Sequence, residues 1–447
     1  MELDSYEAIK FVYQSYVDSK PYLTTDADIH RRHPRYTREL ITRLGLSLSE
    51  PPTALIAGSK GKGSTSTLLA CLLEHAGRHV GLFTGPHLVD FCERIRVNGI
   101  KIDEENFVRL IQNLMPVANE ITQAMPRDHY LGPVGTTLAV ALQWYQEQQT
   151  DFNVVECGRG GVSDDASVLH NQWSVLTPIM EEHVRELGPT LLDIAANKAG
   201  IVRPGQKLCV TCQQHTQVST LLRSLCRHFA VPLKQEGADF TVEALQSDLS
   251  GSRFYYRSQA REAEFKLPLV GRFQIINAAL ALATAEEILP GTTDDELQAG
   301  LDAARWPGRC ELVPGRPPVL LDGAINAQSA QYVAAVLQEL APPLHLVTGV
   351  PADKDWRGVL SVLAPLAASV TVTTATNPHL EFPAREEVLA TAEGLNGKCE
   401  YVQDPEAALD RALAAAQTGT VVIVGTQSLV RDAKVFLSNK NTGEGSR

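Results

Sequence analysis

The sequence predicts an α/β protein, a mainly parallel sheet carrying a phosphate-binding loop, followed by a smaller α/β unit. Three observations predict it. The apolar run Ala54-Leu55-Ile56-Ala57 stops at the glycine-punctuated stretch Gly58-Ser59-Lys60-Gly61-Lys62-Gly63-Ser64-Thr65, and Ser64 to Leu69 reads as the first turns of a helix. Helix and strand patterns then alternate as far as Thr211, the mark of a parallel sheet covered on both faces. Gly58, Thr84, Glu156 and Glu182 each follow an apolar run, and ligands of such sheets collect at the carboxyl ends of strands.

Composition sets the outer bounds. A chain of 447 residues exceeds one ordinary core, so two domains are expected, at 1–308 and 309–447, with a small antiparallel insert at about 235–270. The formal net charge of −12 argues against nucleic acid as a bulk partner, because neutralising phosphates needs a basic surface. An anionic ligand must meet a local electropositive pocket, which the glycine loop supplies. Eight scattered cysteines, mostly in apolar segments, suit reduced thiols in a cytoplasmic protein. The lone C-x-x-C, Cys209 to Cys212, reads as strand. The acidic stretch Met1 to Glu7 has no basic-then-apolar leader, and no apolar run nears the roughly 20 residues that span a bilayer. A monomer or small homo-oligomer free of membrane and nucleic acid is expected.

In chain order, helices are expected at Tyr6 to Val17 and Tyr36 to Leu44. Between them, His30-Arg31-Arg32-His33-Pro34-Arg35 reads as a solvated helix start or as an anion contact. After the loop come a strand from Val80 ending in a Gly-Pro turn, a hairpin-like Phe91 to Ile102 around Asn98-Gly99, and helices Glu104 to Ala118 and Thr136 to Glu147. Strands Asn153 to Glu156, Trp173 to Ile179 and Lys207 to Thr211 bracket a helix, Leu191 to Gly200. The insert offers strands at Phe240 to Val242, Phe254 to Tyr256 and Phe265 to Leu269, then an alanine-rich helix, Phe273 to Ile288. A break near Trp306 to Arg309 precedes strands at Val319 to Asp322, Leu344 to Val347, Ser369 to Thr373 and Val421 to Val424. The tail Asn439 to Arg447 reads as disordered.

Strand, glycine loop, lysine, hydroxyl residues and helix, in that order, form a polyphosphate cradle. Loop N–H groups and the helix start face the anion, and Lys62 adds a point charge. The loop is a variant, with Gly58 and Gly61 three apart and Gly63 between Lys62 and Ser64. A phosphate site calls for a divalent cation, and Glu156, ending an apolar strand beside Gly158-Arg159-Gly160-Gly161, is the leading ligand. Glu182 with His183 reads as a second metal site, a polarising pair or an exposed loop. Lys198, near a helix C-terminus, reads as structural from sequence alone.

Several stretches in order resemble the folylpolyglutamate synthase/dihydrofolate synthase family of the Mur ligase superfamily. The loop Gly58 to Ser64 is similar to G-T-N-G-K-G-S. Phe83 to Leu88 with Glu93 to Gly99 is similar to T-S-P-H-L…E-R-I-R-V-N-G, and Glu156 to Gly161 plus Asp164 to E-V-G-L-G-G-x-x-D. Lys198 to Gly205 resembles K-A-G-I-I-K-P-G, Gln274 with Asn277 and Ala278 resembles Q-x-x-N-A, and Trp306 to Glu311 resembles W-P-G-R-x-E. Leu321 to Ala324 is similar to L-D-G-A, and Gly425 to Val430 to G-S-x-x-L-V.

The resemblance implies a Mur-ligase-like P-loop ATPase domain, a C-terminal Rossmann-like amino-acid-binding domain, and an ATP- and Mg²⁺-dependent amide ligase acting through an acyl phosphate. It places Gly58, Ser59, Gly61, Lys62, Gly63, Ser64 and Thr65 on the nucleotide, with Asn277 on adenine. Arg309 and Asp322 would hold ATP from the second domain's side. Glu156 and His183 become metal ligands, and Lys198 joins them as the lysine that the family often carbamylates to bridge a second metal. Lys62, His183 and Lys198 form the catalytic set, and Ile325, Asn326 and Thr426 the substrate set. Four single positions and one segment depart from the pattern. Gly85 stands at a metal-binding serine, Glu182 at an aspartate, Ile325 at a histidine and Thr426 at a serine, while Pro133-Val134-Gly135 replaces an aromatic-acid-aromatic segment. Folate and glutamate are the family default. A non-folate acid or another amine, a non-catalytic nucleotide binder, and a phosphotransferase or simple NTPase remain as alternatives.

Overall fold

The computed structural model describes residues 3–442. Its chain divides into two compact units. The first runs to Glu243 and adds Phe254–Lys266 and Gln274–Ala304; the second takes Ala244–Arg253, Leu267–Phe273 and the chain from Arg305.

The first unit is built on eight strands: β1 (Thr53–Ala57), β2 (Val80–Phe83), β3 (Ile95–Val97), β4 (Ile100–Lys101), β5 (Phe152–Glu156), β6 (Trp173–Leu176), β7 (Leu208–Thr211) and β8 (Leu233–Gln235), in the order β4-β3-β2-β5-β1-β6-β7-β8. All pairs from β2 to β8 are parallel, and β1 lies between β5 and β6. Every residue of β1, β5, β6 and β7 is buried, as parallel strands with both faces covered require. The β3–β4 hairpin is antiparallel, and Asn98 and Gly99 take positive φ at 46° and 72°, the pair of left-handed residues its two-residue turn demands.

The helix Lys62–His75 packs on β1, β2 and β5, and the helix Asp294–Ala303 packs on it in turn. That approach is close: a Cβ on Gly300 would lie 2.8 Å from Leu72 Cα. The alanine-rich helix Phe273–Ile288 lies as expected and is buried nearly all round. Three further strands, β9 (Phe240–Asp248), β10 (Gly251–Ser258) and β11 (Glu262–Leu267), form a small sheet.

The second unit's sheet has six strands: β12 (Glu311–Val313), β13 (Val319–Asp322), β14 (Leu344–Gly349), β15 (Ser369–Val372), β16 (Cys399–Tyr401) and β17 (Thr420–Gly425). Their order is β12-β13-β17-β14-β15-β16, and only β12–β13 is antiparallel.

Several expectations need correction. The loop helix begins at Lys62 rather than Ser64, because Gly61 in the left-handed conformation turns the chain directly into it. The helix expected from Thr136 starts at Pro133, whose fixed φ suits a first turn. β6 stops at Leu176, three residues short, because Pro178 cannot donate to a ladder. Gln235 ends β8 and is not part of the insert. The edge strands β12 and β16 went unforeseen, being three residues each and only half-buried. Residues 439–442 of the expected disordered tail continue the helix Gln427–Thr442; 443–447, and Met1 and Glu2 of the N-terminal stretch, lie outside the described residues.

Gly300→Ala should lower the thermal midpoint, costing about 1–3 kcal/mol by overpacking the two helices. Gly394→Ala, in the helix Arg385–Leu395 with nothing within 4 Å of the new Cβ, should not. Calorimetry of both variants checks the contrast, and equal midpoints would refute the packing account.

Candidate functional site

β1 delivers the chain to a loop that is held from two sides. At Gly58, with φ of 149°, an added Cβ would sit 1.9 Å from Thr177 Oγ1, so only glycine fits. The Ser59 N–H donates to the Pro178 carbonyl (2.9 Å), and the Ser59 hydroxyl bridges the Met180 N–H and carbonyl at 3.0 and 3.2 Å. Gln214 braces that strap. Its amide donates to Thr177 O and accepts from the Ile179 N–H, both at 3.0 Å. On the other side, Asn277 Oδ1 lies 2.2 Å from where a Gly61 Cβ would be, accepts from the Thr65 hydroxyl at 3.4 Å, and its Nδ2 donates to Gln274 at 2.9 Å.

Two ammonium groups converge on the loop. Lys62 Nζ donates to the carbonyls of Gly58 (3.0 Å) and Ser59 (3.4 Å). Lys198 Nζ donates to the same Gly58 carbonyl at 2.8 Å and to Glu182 Oε1 at 3.0 Å. Burial, with Lys62 beside it, lowers the Lys198 pKa to about 8. Burial opposes the Glu182 charge, yet Lys198 and Lys62 bring its pKa below the usual carboxylate range. The helix Lys62–His75 starts without a side-chain cap, leaving first-turn N–H groups turned to the same place.

Glu156 ends β5 in register with Ile56 of β1, nearly buried at 5% exposure, and accepts the Gly85 N–H at 3.0 Å. Arg94 is half-buried, close enough to Glu156 for their charges to interact; its Nε donates to His87 Nδ1 at 3.0 Å. Beyond Glu156, Asp164 Oδ2 accepts the N–H groups of Gly158 and Arg159, both at 3.1 Å, and burial raises its pKa to about 6. A Cβ on Gly161 would lie 2.5 Å from the Lys198 carbonyl, so this loop lies against the helix Leu191–Ala199. His183 sits in the left-handed conformation, its side chain 40% exposed, and burial lowers its pKa.

The first unit thus brings together Gly58, Ser59, Gly61, Lys62, Thr65, Asn277, Glu182 and Lys198, with Glu156 on the neighbouring strand. Gly63 and Ser64 lie buried in the first turn of the loop helix. Glu182 is not a strand-end residue, since five residues separate it from β6; it joins through Lys198. Within the basic cluster, Arg32 is not a solvated helix start, for it lies 3.5 Å from Asp28 and 3.5 Å from Asp164. Cys209 is buried within β7 and Cys212 just past its end. Arg94 and Gln214 went unrecognised. Arg94 read only as part of the stretch Glu93 to Gly99, and a lone glutamine carries no sequence signal.

In the second unit, Asp322 ends β13 beside Val424 of β17 and accepts the Cys310 N–H at 2.8 Å. Burial raises its pKa against the pull of Arg309, whose Nη1 lies 2.2 Å from where a Gly323 Cβ would be. Asn326 caps the helix Ala327–Leu337 by accepting the Ser329 N–H at 2.8 Å, and Thr426 accepts the Leu429 N–H at 3.2 Å. Ile325 packs against the apolar core.

Residues 56–285 match the Mur ligase middle domain and 308–426 the Mur ligase, glutamate ligase domain. The chain is 31% identical over 345 residues to the dihydrofolate synthase/folylpolyglutamate synthase of Bacillus subtilis, covering 74% of this chain and 79% of that protein. It is 31% identical over 423 residues to a probable bifunctional folylpolyglutamate synthase/dihydropteroate synthase of Haloferax volcanii; this covers 91% of the chain but 49% of that protein, so the chain spans about half its length. A Mycobacterium tuberculosis folylpolyglutamate synthase complexed with ADP and AMPPCP superposes with a TM-score of 0.82 at 26% identity, over 95% of this chain and 99% of that one. No helix among the described residues is long and apolar enough to cross a membrane.

Because Lys198 holds its proton less tightly folded than unfolded, the unfolded chain binds more protons between about pH 8 and the ordinary lysine pKa near about 10. This residue's share of stability therefore rises with pH across that window. Lys198→Met should remove the rise, about 3 kcal/mol in all. Parallel denaturation midpoints for protein and variant from pH 7 to 10.5 would refute the depressed pKa.

Proposed function

Since the chain belongs to the Mur ligase superfamily and, within it, to the folylpolyglutamate synthase/dihydrofolate synthase family, we propose that it is an ATP-dependent amide ligase joining glutamate to a folate-type acid. The observation that carries the reading is the convergence of Lys62, Lys198 and an uncapped helix start on one loop at the end of β1. That arrangement is built for a polyphosphate, because loop amides and fixed cations need no reorganisation as charge moves. The acid's carboxylate oxygen attacks the γ-phosphorus, the bond to the β–γ bridging oxygen breaks, and ADP leaves. The amine nitrogen then attacks the acyl carbon, the carbon–oxygen bond to phosphate breaks, and the nitrogen loses a proton. Such transfers depend mainly on positioning and charge neutralisation.

The donors fit Mg²⁺. A nearly buried carboxylate at Glu156 and an imidazole at His183 biased to its neutral form are suitable ligands. Among the described residues no group of three His, Cys, Asp or Glu forms a cage, which suits an ion held largely through water and phosphate oxygens. Bound with ATP, magnesium would supply charge neutralisation on the phosphates. Glu156 and His183 would hold it, and Lys198, half neutral near pH 8, could take up CO₂ as a carbamate with loss of a proton. Asn277, Arg309 and Asp322 are proposed as further nucleotide residues, and Asn326 and Thr426 as substrate residues. The two domains are proposed to divide the labour, ATP on the first and amino acid on the second.

One observation favours a second reading, a ligase for an amine other than glutamate. Ile325 offers no polar group and packs into the apolar core.

Phosphate release from MgATP across a panel of pteroate-type and other carboxylic acids, with glutamate and other amino acids, tests both readings. Release that requires an acid and glutamate together is the expected result; another amine would favour the second reading. Release with neither partner would mean an NTPase, and none with any pair despite ATP binding would mean a scaffold. Lys62→Ala should cut turnover by about 100-fold or more; unchanged turnover refutes the phosphate site.

Gly85 has no left-handed φ, and an added Cβ would meet only Arg94 Nη1 at 3.7 Å, so Gly85→Ser should fold normally. The added hydroxyl should tighten Mn²⁺ binding in the presence of ADP by about 10-fold. Unchanged affinity would show that position 85 lies off the cation.

A further inference from the structure

Arg159 has every arm of its guanidinium in use. Nε and Nη2 reach the two oxygens of Asp28, both at 2.7 Å, and Nη1 reaches Glu186 Oε1 at 2.7 Å. The Asp28 side chain has no exposed surface, and Arg32 adds a second cation 3.5 Å from it. The backbone of Arg159 is held as well. Its N–H donates to Asp164 at 3.1 Å, and its carbonyl accepts from Arg32 Nη1 at 3.4 Å. One planar fork therefore joins three stretches remote in sequence: the turn Asp28–Arg31, the loop after β5 and the turn Val184–Leu187.

The last of these turns begins at His183, whose φ of 52° and ψ of 41° are left-handed. A residue with a Cβ keeps that conformation only where its surroundings over-determine it. A four-residue helix cannot do so by itself. Here the Glu186 and Leu187 N–H groups donate to the His183 carbonyl at 3.0 and 2.8 Å, and the Glu186 carboxylate, 3.9 Å from His183 Nδ1, is tied down by Arg159. Leu187 also closes over the loop, its Cδ2 lying 3.2 Å from where a Gly160 Cβ would be.

We infer that Arg159 is a positioning residue, a clasp that sets the His183 imidazole against the Glu156-bearing loop and takes its own anchor from Asp28. The N-terminal turn at Asp28 thereby belongs to the cation-side apparatus, although it carries no ligand itself. An ammonium cannot replace the fork, since it is a single point charge and the three bonds are set by one plane. The inference rests on the reading of Glu156 and His183 as the cation side.

Mn²⁺ binding to the full chain in the presence of ADP, followed by electron paramagnetic resonance, tests it with four variants. Glu186→Ala removes only the arm toward His183 and leaves the buried Asp28–Arg159 pair intact, so it should fold with a near-normal midpoint. Its Mn²⁺ affinity should fall by about 10- to 100-fold, the usual effect of losing a residue that orients a ligand, with KM for the acid unmoved. Arg159→Lys should show the same loss, and the double variant no more than Arg159→Lys alone. Wild-type affinity in both, beside a loss in Glu156→Gln, overturns the clasp while leaving the cation site standing. Retention in Glu156→Gln as well overturns the cation site itself, and the clasp's role with it.

Discussion

The hydrogen bond from Lys198 to the Gly58 carbonyl ties the first unit together at its most expensive point. An ammonium with 1% of its surface exposed cannot stand alone, because removing it from water costs several kcal/mol unless geometry and partners restore the loss. The structure restores it twice, through the carbonyl at 2.8 Å and Glu182 at 3.0 Å, and both partners are thereby placed. Gly58 must present its carbonyl inward, which turns the loop that follows. Glu182 must reach back from a segment that has already left the sheet. Lys62 then bonds the same carbonyl, so two like charges share one acceptor in a chain whose formal net charge is −12. Their repulsion, added to burial, is what depresses the Lys198 pKa.

Such a concentration of charge needs a stiff frame, and the frame is made of backbone as much as of side chains. Thr177 to Met180 runs alongside the loop as a strap, bonded to Ser59 on one side and to Gln214 on the other. Asn277, from a helix more than two hundred residues further on, closes against Gly61. The loop is gripped at its bends, Gly58 and Gly61, and through the Ser59 N–H, and the helix start is left without a side-chain cap. Arg159 does for the loop after β5 what Gln214 does for the loop after β1. It is a polar side chain of high hydrogen-bond capacity joining segments that share no strand.

Much of this was legible in the residues. The loop announces itself because glycines, a lysine and hydroxyls at close spacing between an apolar run and a helix have few other uses. Glu156 was legible because a carboxylate closing a buried strand is costly without a purpose. The second unit's inner strands were legible for the same reason as β1, being short apolar runs with breaks on both sides. Arg94, Arg159, Asp28 and Gln214 were not. A charged or amide residue in a loop has no periodicity, and its value depends on partners up to 131 residues away, as with Arg159 and Asp28. Asn326 shows the same limit from another side, since its side chain caps a helix in the structure, a use that the sequence does not distinguish from a ligand contact.

By itself, then, the sequence determined what is local: which apolar runs form the inner strands, where the glycine loop bends, and which residues close β1 and β5. Those follow from apolar periodicity and from the few residues that tolerate a left-handed φ or a missing donor. Only the tertiary structure decided which charges meet. The pairings of Lys198 with Glu182, Arg32 with Asp164 and Arg159 with Asp28 and Glu186 depend on how distant segments stack, and a buried charge has an energy only once its neighbours are known.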